Sequence, residues 1–536
     1  MVTLATKKPE GTVDRDAPRF ERVTWYKEPH LRKLYFLSIF LLVGSATTGY
    51  DGMLLNTSQQ MDYWAAYFPE NTDANKLGIM INMYNIGSII SFFITPYLAD
   101  RFGRRPIIML GAFLMTVGAM ITAFANGYGM YMGGRFVLGF GNSFSQMCSP
   151  LLLTEICHPQ HRAPLTTVYN CLWNLGSLVV SCVGWGTASI NGDWSWRSIT
   201  FIQCVPSLMQ LVGIWWIPES PRFLVNKDRS EEALQVLAKH HGGGDANNAT
   251  VQFQYREIKE VIERDRAGGT KTGYTDFVKT RGNLWRLGII VSLGIISQYS
   301  GNAVLSNYMN IILVGAGIKE QNKKLALTAG KTILDLGSSI AAAFCVDKFG
   351  RRPLFLISTC GMVASFICWT ITAAIYENSE IQVPITDENA DGVEYTNSGA
   401  GYAQLPFIWI FGVFYSIGFS GLLVSYALEI LPFHLRAKGM MIMNITVQAI
   451  LALGNQTNKL AWDNMPNHWN FLLFYTLWDL LELVFVYFFY VETKGPTLEE
   501  IAQIFDGDDA NAHIDFEQVE KEVQLTAQDE RFDGKA

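Results

Sequence analysis

The chain has 536 residues, 49% of them hydrophobic, and a formal net charge of −7. That composition is too apolar for several soluble domains, and the charge offers no basic face for nucleic acid. No HExxH, P-loop or nucleophile elbow occurs, and the eight cysteines stand singly without a CxxC pair. The sequence therefore predicts neither an enzyme, an ATP-driven pump, a zinc site nor a disulfide framework, and it calls for no cofactor.

In chain order, residues 1–33 form a charged, proline-dotted tail with no short apolar core before a cleavage site, so they do not read as a signal peptide. Apolar spans follow near 34–55, 77–99, 107–125, 129–153, 165–190 and 199–217, each long enough to cross about 30 Å of hydrocarbon as a helix. A polar stretch at 218–283 comes next, with helical periodicity at Glu231–His240 and Tyr255–Arg266 around a Gly-Gly-Gly-Asp break. Six more spans lie near 284–314, 325–346, 353–376, 405–428, 437–460 and 469–491, and an acidic tail runs from 492 to 536. The expected fold is an all-α membrane protein of twelve transmembrane helices in two halves, 34–217 and 284–491. Lys and Arg gather in the N-terminal tail and in loops of the same parity, while Glu377–Gln404 has neither. The positive-inside rule then puts both tails and the 218–283 loop in the cytosol.

Two motifs recur at matching places in the halves. LADRFGRRP (98–106) returns as CVDKFGRRP (345–353), and LTEICHPQHRA (153–163) returns as ALEILPFHLRA (427–437). The first pair sets Asp100 beside Arg104 and Arg105, and Asp347 beside Arg351 and Arg352. The second supplies Glu155, Arg162, Glu429 and Arg436 as answering charges, an arrangement suited to clamps that open and close one face.

Inside the spans, ionisable residues are costly at roughly 2.5–3.5 kcal/mol each on insertion scales. Asp51 near the exit of span one and Arg135 near the entry of span four match in depth and are expected to neutralise each other. Polar stripes at helical spacing occur in span five (Asn170, Asn174, Ser177, Ser181), span seven (Gln298, Asn302, Ser306) and span eleven (Asn444, Gln448, Asn455). Amides that point several ways suit a polyhydroxyl ligand in a central cavity. Asp335, deep in span eight, is expected to be protonated, paired or part of a transport cycle.

The paired loops, together with GRFVLGFG (134–141), PESPRFL (218–224), SQYSGNAV (297–304) and VETKGPTLEE (491–500), resemble the sugar porter family of the major facilitator superfamily from about residue 34 to 500. Within it, YNCLWNLGS (169–177), QYSGN (298–302) and EILPFHLRAKG (429–439) are similar to fungal lactose permeases and cellodextrin transporters. The resemblance implies alternating access, with a sugar and a proton as partners in a plasma-membrane bilayer. It makes Asp51 the proton acceptor with Arg135 as its partner, and the duplicated loops a cytosolic gate. It aligns Asn170, Gln298 and Asn302 with sugar contacts of the family and places Asp335 at another, and with Asn174 and Gln448 from the stripes these are the expected substrate contacts. Two departures stand out: the family's stacking Trp of span ten falls at Val424, and its span-eight Asn at Asp335. Proton-driven efflux of a secondary metabolite and a non-transporting sugar sensor are the competing expectations.

Overall fold

The computed structural model describes residues 23, 25–158, 161–267, 273–382, 393–432, 435–494 and 504–506; most of both tails lies outside the described residues. Spans one to six are Pro29–Gln59, Ala74–Phe102, Arg104–Ala123, Tyr128–Ile156, Arg162–Thr187 and Trp194–Trp216. Spans seven to twelve are Arg281–Gly315, Gln321–Phe349, Arg351–Glu377, Ser398–Ile430, Arg436–Asn464 and His468–Phe489. Spans one, two, three, six, seven, nine, ten and twelve are apolar and long enough to cross a membrane on composition alone. Spans four, five, eight and eleven carry Arg135, Asn174, Asp335 and Gln448, residues that a bilayer forces toward a protein-lined cavity.

Within the first half, span one packs along span five, and spans two and three along span four. At Gly49 and Gly176 a side chain would collide with the carbonyls of Trp173 and Ala46, so glycine is what lets spans one and five touch backbone to backbone. The halves meet where span two lies against eleven, five against eight, and one against the second part of seven.

Two spans depart from a plain helix where they face the centre. Span seven stops at Tyr299 and restarts at Asn302, turning at Gly301 with φ +85°. Span ten opens into a π-helical turn at Ser416–Ser420. Irregular backbone is tolerated at membrane depth only where protein or a cavity covers it.

The polar stretch between the halves contains helices Pro221–Asn226, Ser230–His241 and Ala249–Ala267 and a single turn at Asp276–Lys279, two more than the periodicity predicted. The first three lie together. They share a small core of Leu224, Leu237 and Val251. The His241 ring bridges Gln254 (2.7 Å) and the carbonyl of Ile156 at the end of span four (3.0 Å), docking this unit on the bundle. Between spans nine and ten a short hairpin pairs Glu380–Gln382 with Val393–Tyr395, an element the sequence reading did not contain.

Candidate functional site

A cavity of about 340 Å³ lies between the halves, walled by spans one, two, four and five from one side and seven, eight, ten and eleven from the other. Asn170, Asn174, Gln298, Asn302, Asp335 and Gln448 all line it, as do Ser177, Ser306 and Asn444. Ser181 and Asn455, expected on the same stripes, do not. The Ser181 hydroxyl donates to the Ser177 carbonyl one turn back, and Asn455 accepts from Asn307 Nδ2 at 2.9 Å while its carbonyl takes the Tyr308 hydroxyl. Ser181 spends its polarity within its own helix, and Asn455 spends part of its own holding span eleven to span seven.

Asn174 does more than line the wall. Its Nδ2 donates across the halves to Ser339 Oγ at 2.7 Å and to Ser420 Oγ at 3.2 Å, a strut between spans five, eight and ten. Nearby, Phe411, Tyr415 and Phe419 of span ten stack in series, with centroids 6.3 and 5.8 Å apart and planes within 24°. Trp173 also lines the cavity. The aromatic surface missing at Val424 is thus supplied by three rings spaced four residues apart earlier in the same span, a spacing visible in the sequence that the reading passed over.

Asp51 is fully buried, and neither carboxylate oxygen has a hydrogen-bond partner. No direct ion pair joins it to Arg135, contrary to the depth argument. The Arg135 guanidinium lies instead over the Tyr84 ring, 5.1 Å from the centroid, within electrostatic range of Asp51. Tyr84 is held by Asn142 Nδ2 at 2.7 Å, and Asn142 in turn accepts from Thr48 Oγ1 at 2.9 Å. These three residues fix the ring against which Arg135 lies, and none was singled out from sequence. Asp335 has a partner one turn away, with Lys331 Nζ 2.6 Å from its Oδ2.

The duplicated loops sit at the end of the bundle shared by residues 25–28 and 491–494. Arg104 Nε lies 3.3 Å from Glu155 and its Nη1 3.8 Å from Asp100, while Arg351 grips Glu429 through Nε and Nη2 at 3.1 and 2.9 Å. Thr493 also donates to Glu429. Arg105 and Arg352 each donate to a main-chain carbonyl of the last span of their half, Trp215 at 2.6 Å and Tyr487 at 2.7 Å. Arg436 Nε donates to the Leu431 carbonyl at 3.1 Å. The side chains of Arg162 and Asp347 lie outside the described residues.

Two further carboxylates complete this end. Glu219 accepts from the backbone N–H groups of Arg104 and Arg105 at 3.1 Å each, and Glu492 from those of Arg351 and Arg352 at 3.0 and 3.1 Å. Each fits beneath a left-handed glycine, Gly103 or Gly350, where a side chain would strike the carboxylate. Burial pushes the Glu219 carboxyl up, and the N–H groups it accepts from pull it back. The signal was present as a Glu just after the sixth and twelfth spans.

Each of these ion pairs stays inside its own half. At the opposite end the halves are joined by neutral groups: Gln59 Nε2 to the Asn307 carbonyl (3.2 Å), Thr328 to Gln60 (3.0 Å), Asn82 to the Ala452 carbonyl (2.9 Å) and Gln456 to Asn75 (3.1 Å).

Comparison with known proteins supplies the context. The family model described as Sugar (and other) transporter matches residues 37–505. A high-affinity glucose transporter of Kluyveromyces lactis is 28% identical over 493 residues, covering 90% of this chain and 87% of that protein. Among solved structures, the xylose transporter XylE of E. coli in a partially occluded inward-open conformation superposes with a TM-score of 0.69 at 22% identity, covering 87% of this chain and 99% of XylE. The major facilitator superfamily proton:xylose symporter XylE bound to 6-bromo-6-deoxy-D-glucose gives a TM-score of 0.68 at 22% identity over 88% of this chain and 99% of that one.

Proposed function

This chain belongs to the sugar (and other) transporter family, and from that premise we propose that it carries a sugar across the bilayer together with a proton, by alternating access of a central cavity. The observation that carries the proposal is the wall of that cavity, where amides from spans five, seven and eleven face a stacked aromatic ladder. Amides give and accept hydrogen bonds in several directions, and aromatic faces cover the C–H side of a ring, which together fit a neutral polyhydroxyl ligand. The names of the relatives, a glucose transporter and a proton:xylose symporter, support a monosaccharide as the first candidate.

Asp51 supports the coupling. A carboxylate sealed from water without a hydrogen bond or a touching cation would be an uncompensated charge, so the neutral acid suits the arrangement seen here. Arg135, nearby over Tyr84, would compensate the charge once the proton leaves. One proton moving through 100 mV is worth about 2.3 kcal/mol, enough to concentrate a neutral sugar roughly fortyfold.

The end bearing the ion-pair loops is proposed to face the cytosol, as the distribution of Lys and Arg requires, in a plasma membrane. The neutral seal at the other end then closes the outside, and the duplicated clamps, including Arg104 with Glu155 and Arg351 with Glu429, form the inner gate. The test is uptake of labelled glucose, xylose, galactose, lactose and cellobiose by yeast lacking its own sugar carriers, with and without a protonophore. Accumulation of one sugar that the protonophore abolishes supports the proposal. Surface expression without uptake of any of them would overturn it.

A further inference from the structure

On span ten the cavity wall runs from Phe411 to Val424, about 20 Å along the axis at 1.5 Å per residue, more than one sugar ring can fill. We infer that the part nearest the ion-pair loops, lined by Gln146 of span four and Asn444 of span eleven, is a second sugar subsite, and that the preferred ligand is a neutral sugar of two linked rings. The inference rests on the sugar reading above and goes past the single-ring sugars in the relatives' names. It adds the size of the ligand and two residues that read it.

Depth along the helices separates two tiers of the wall. Spans four, five, ten and eleven all end at the duplicated stretches 153–163 and 427–437, which the repeat puts at one level. Val424 stands six residues inside that level, Asn170 and Asn444 eight, and Gln146 ten, or about 9, 12 and 15 Å in. Asn174 and Gln448 stand twelve residues in, about 18 Å. Arg286 of span seven donates to the Ile430 carbonyl at the same level, and Gln298 follows twelve residues later, so it too lies about 18 Å in, with Asn302 beyond it. The charged residues in the wall are all further out: Asp335 and Lys331 stand fourteen and eighteen residues from Phe349 at that end of span eight, and Arg135 twenty-one from Ile156.

The inner tier has the chemistry of a sugar site and keeps it available. Gln146, Asn170 and Asn444 are half-buried, face the cavity, and among the described residues none of their amides is taken by a hydrogen bond to the protein. Asn174, by contrast, spends its donors on Ser339 and Ser420. Each amide offers two donors and a carbonyl oxygen, so three of them from spans four, five and eleven can serve hydroxyls that point in different directions. The rest of this tier is aliphatic, with Leu423, Val424, Met443 and Val447, a surface for the C–H face of a ring. A path for release alone would need no such convergence of open amides. One ring held by Gln298, Asn302 and Gln448 beside the aromatic ladder therefore leaves room and partners for another, and the absence of charge in the inner tier suits a neutral one.

The experiment is ligand binding to the purified full-length protein in lipid nanodiscs, read by calorimetry and, separately, by thermal stabilisation. The panel is glucose, galactose, xylose and methyl β-glucoside against cellobiose, lactose and maltose. In the wild type at least one two-ring sugar should bind roughly tenfold or more tightly than the single rings it contains, the scale of two added hydrogen bonds. The double variant Gln146→Leu with Asn444→Leu should bring that ratio back to near one. Val424→Trp, which fills the inner tier with a large side chain, should invert it, so that single rings bind more tightly than any two-ring sugar.

Should one variant not fold, the other carries the test alone, since the first removes the polar contacts and the second removes the space. Wild-type binding of glucose, galactose or xylose at least as tight as that of every two-ring sugar would overturn this inference while leaving the sugar reading intact. A two-ring preference that survives in the folded variants would put the second ring elsewhere and overturn it too. Methyl β-glucoside matching the full gain of cellobiose would reduce the inner tier to an apolar contact, with the same consequence. Failure of the folded wild type to bind any of the panel would overturn the sugar reading and this inference with it.

Discussion

Glu219 and Glu492 hold corresponding places in the two halves, each carboxylate bonded to the two backbone N–H groups that open the third span of its own half. The first N–H groups of a helix have no partner within it, and a carboxylate there satisfies them and opposes the positive end of the helix dipole. The duplicated arginines are thus fixed twice, by a cap on their backbone and by an acid or carbonyl on their side chains.

Removing either cap should destabilise the protein by about 1–2 kcal/mol. Glu219→Ala and Glu492→Ala are expected to lower the thermal unfolding midpoint individually. Because the two sites share no partners, the double variant should lose close to the sum. A midpoint unchanged in both single variants would show that water replaces the carboxylates without cost.

Asp51→Asn keeps the size of the side chain and removes its proton chemistry. Accumulation should fall from as much as about fortyfold at 100 mV to none, while equilibrium exchange of labelled for unlabelled sugar persists. Undiminished accumulation in this variant would move the coupling site elsewhere.

The stacked ladder predicts a graded effect on affinity. Phe419→Leu leaves an apolar wall but ends the series, and its Michaelis constant for the transported sugar should rise about two- to tenfold at unchanged surface level, the scale of one aromatic contact. An unaltered constant would place the ligand away from span ten.

Outside the membrane, His240 gives a pH dependence. Burial, followed by the positive charges of Lys239, His241, Lys33 and His30, pushes its pKa down to about 4. The folded helix therefore keeps it neutral while the unfolded chain protonates near 6.5. Its contribution is fully present above about pH 6.5 and is lost as pH falls toward 4, by which point the loss reaches about 3 kcal/mol. Protection factors across Ser230–His241, taken relative to the intrinsic exchange rate at each pH, should fall between pH 7 and pH 5, and His240→Leu should blunt that fall. An equal fall in the variant would assign the effect to another group.

Much of this protein was legible in its sequence, because a bilayer imposes simple arithmetic. A helix must be about 20 residues long to cross it, so the apolar runs set the twelve spans to within a few residues of their ends, and the repeated LADRFGRRP and CVDKFGRRP fixed how the spans divide. Helical periodicity likewise gathered Asn170, Gln298, Asn302 and Gln448 onto faces that meet one cavity. Lys331 was readable too, four residues before Asp335. What the tertiary structure alone decided is where each polar group spends its hydrogen bonds. Ser181 and Asn455 lie on the same stripes as cavity residues, yet Ser181 bonds back to its own helix and Asn455 to span seven, and Asn174 braces the halves. Arg135 matches Asp51 in depth but lies over Tyr84, because depth along a helix axis says nothing of rotation about it or of which ring occupies the space between. Periodicity assigns a residue to a face; only the packing of several helices determines what that face meets.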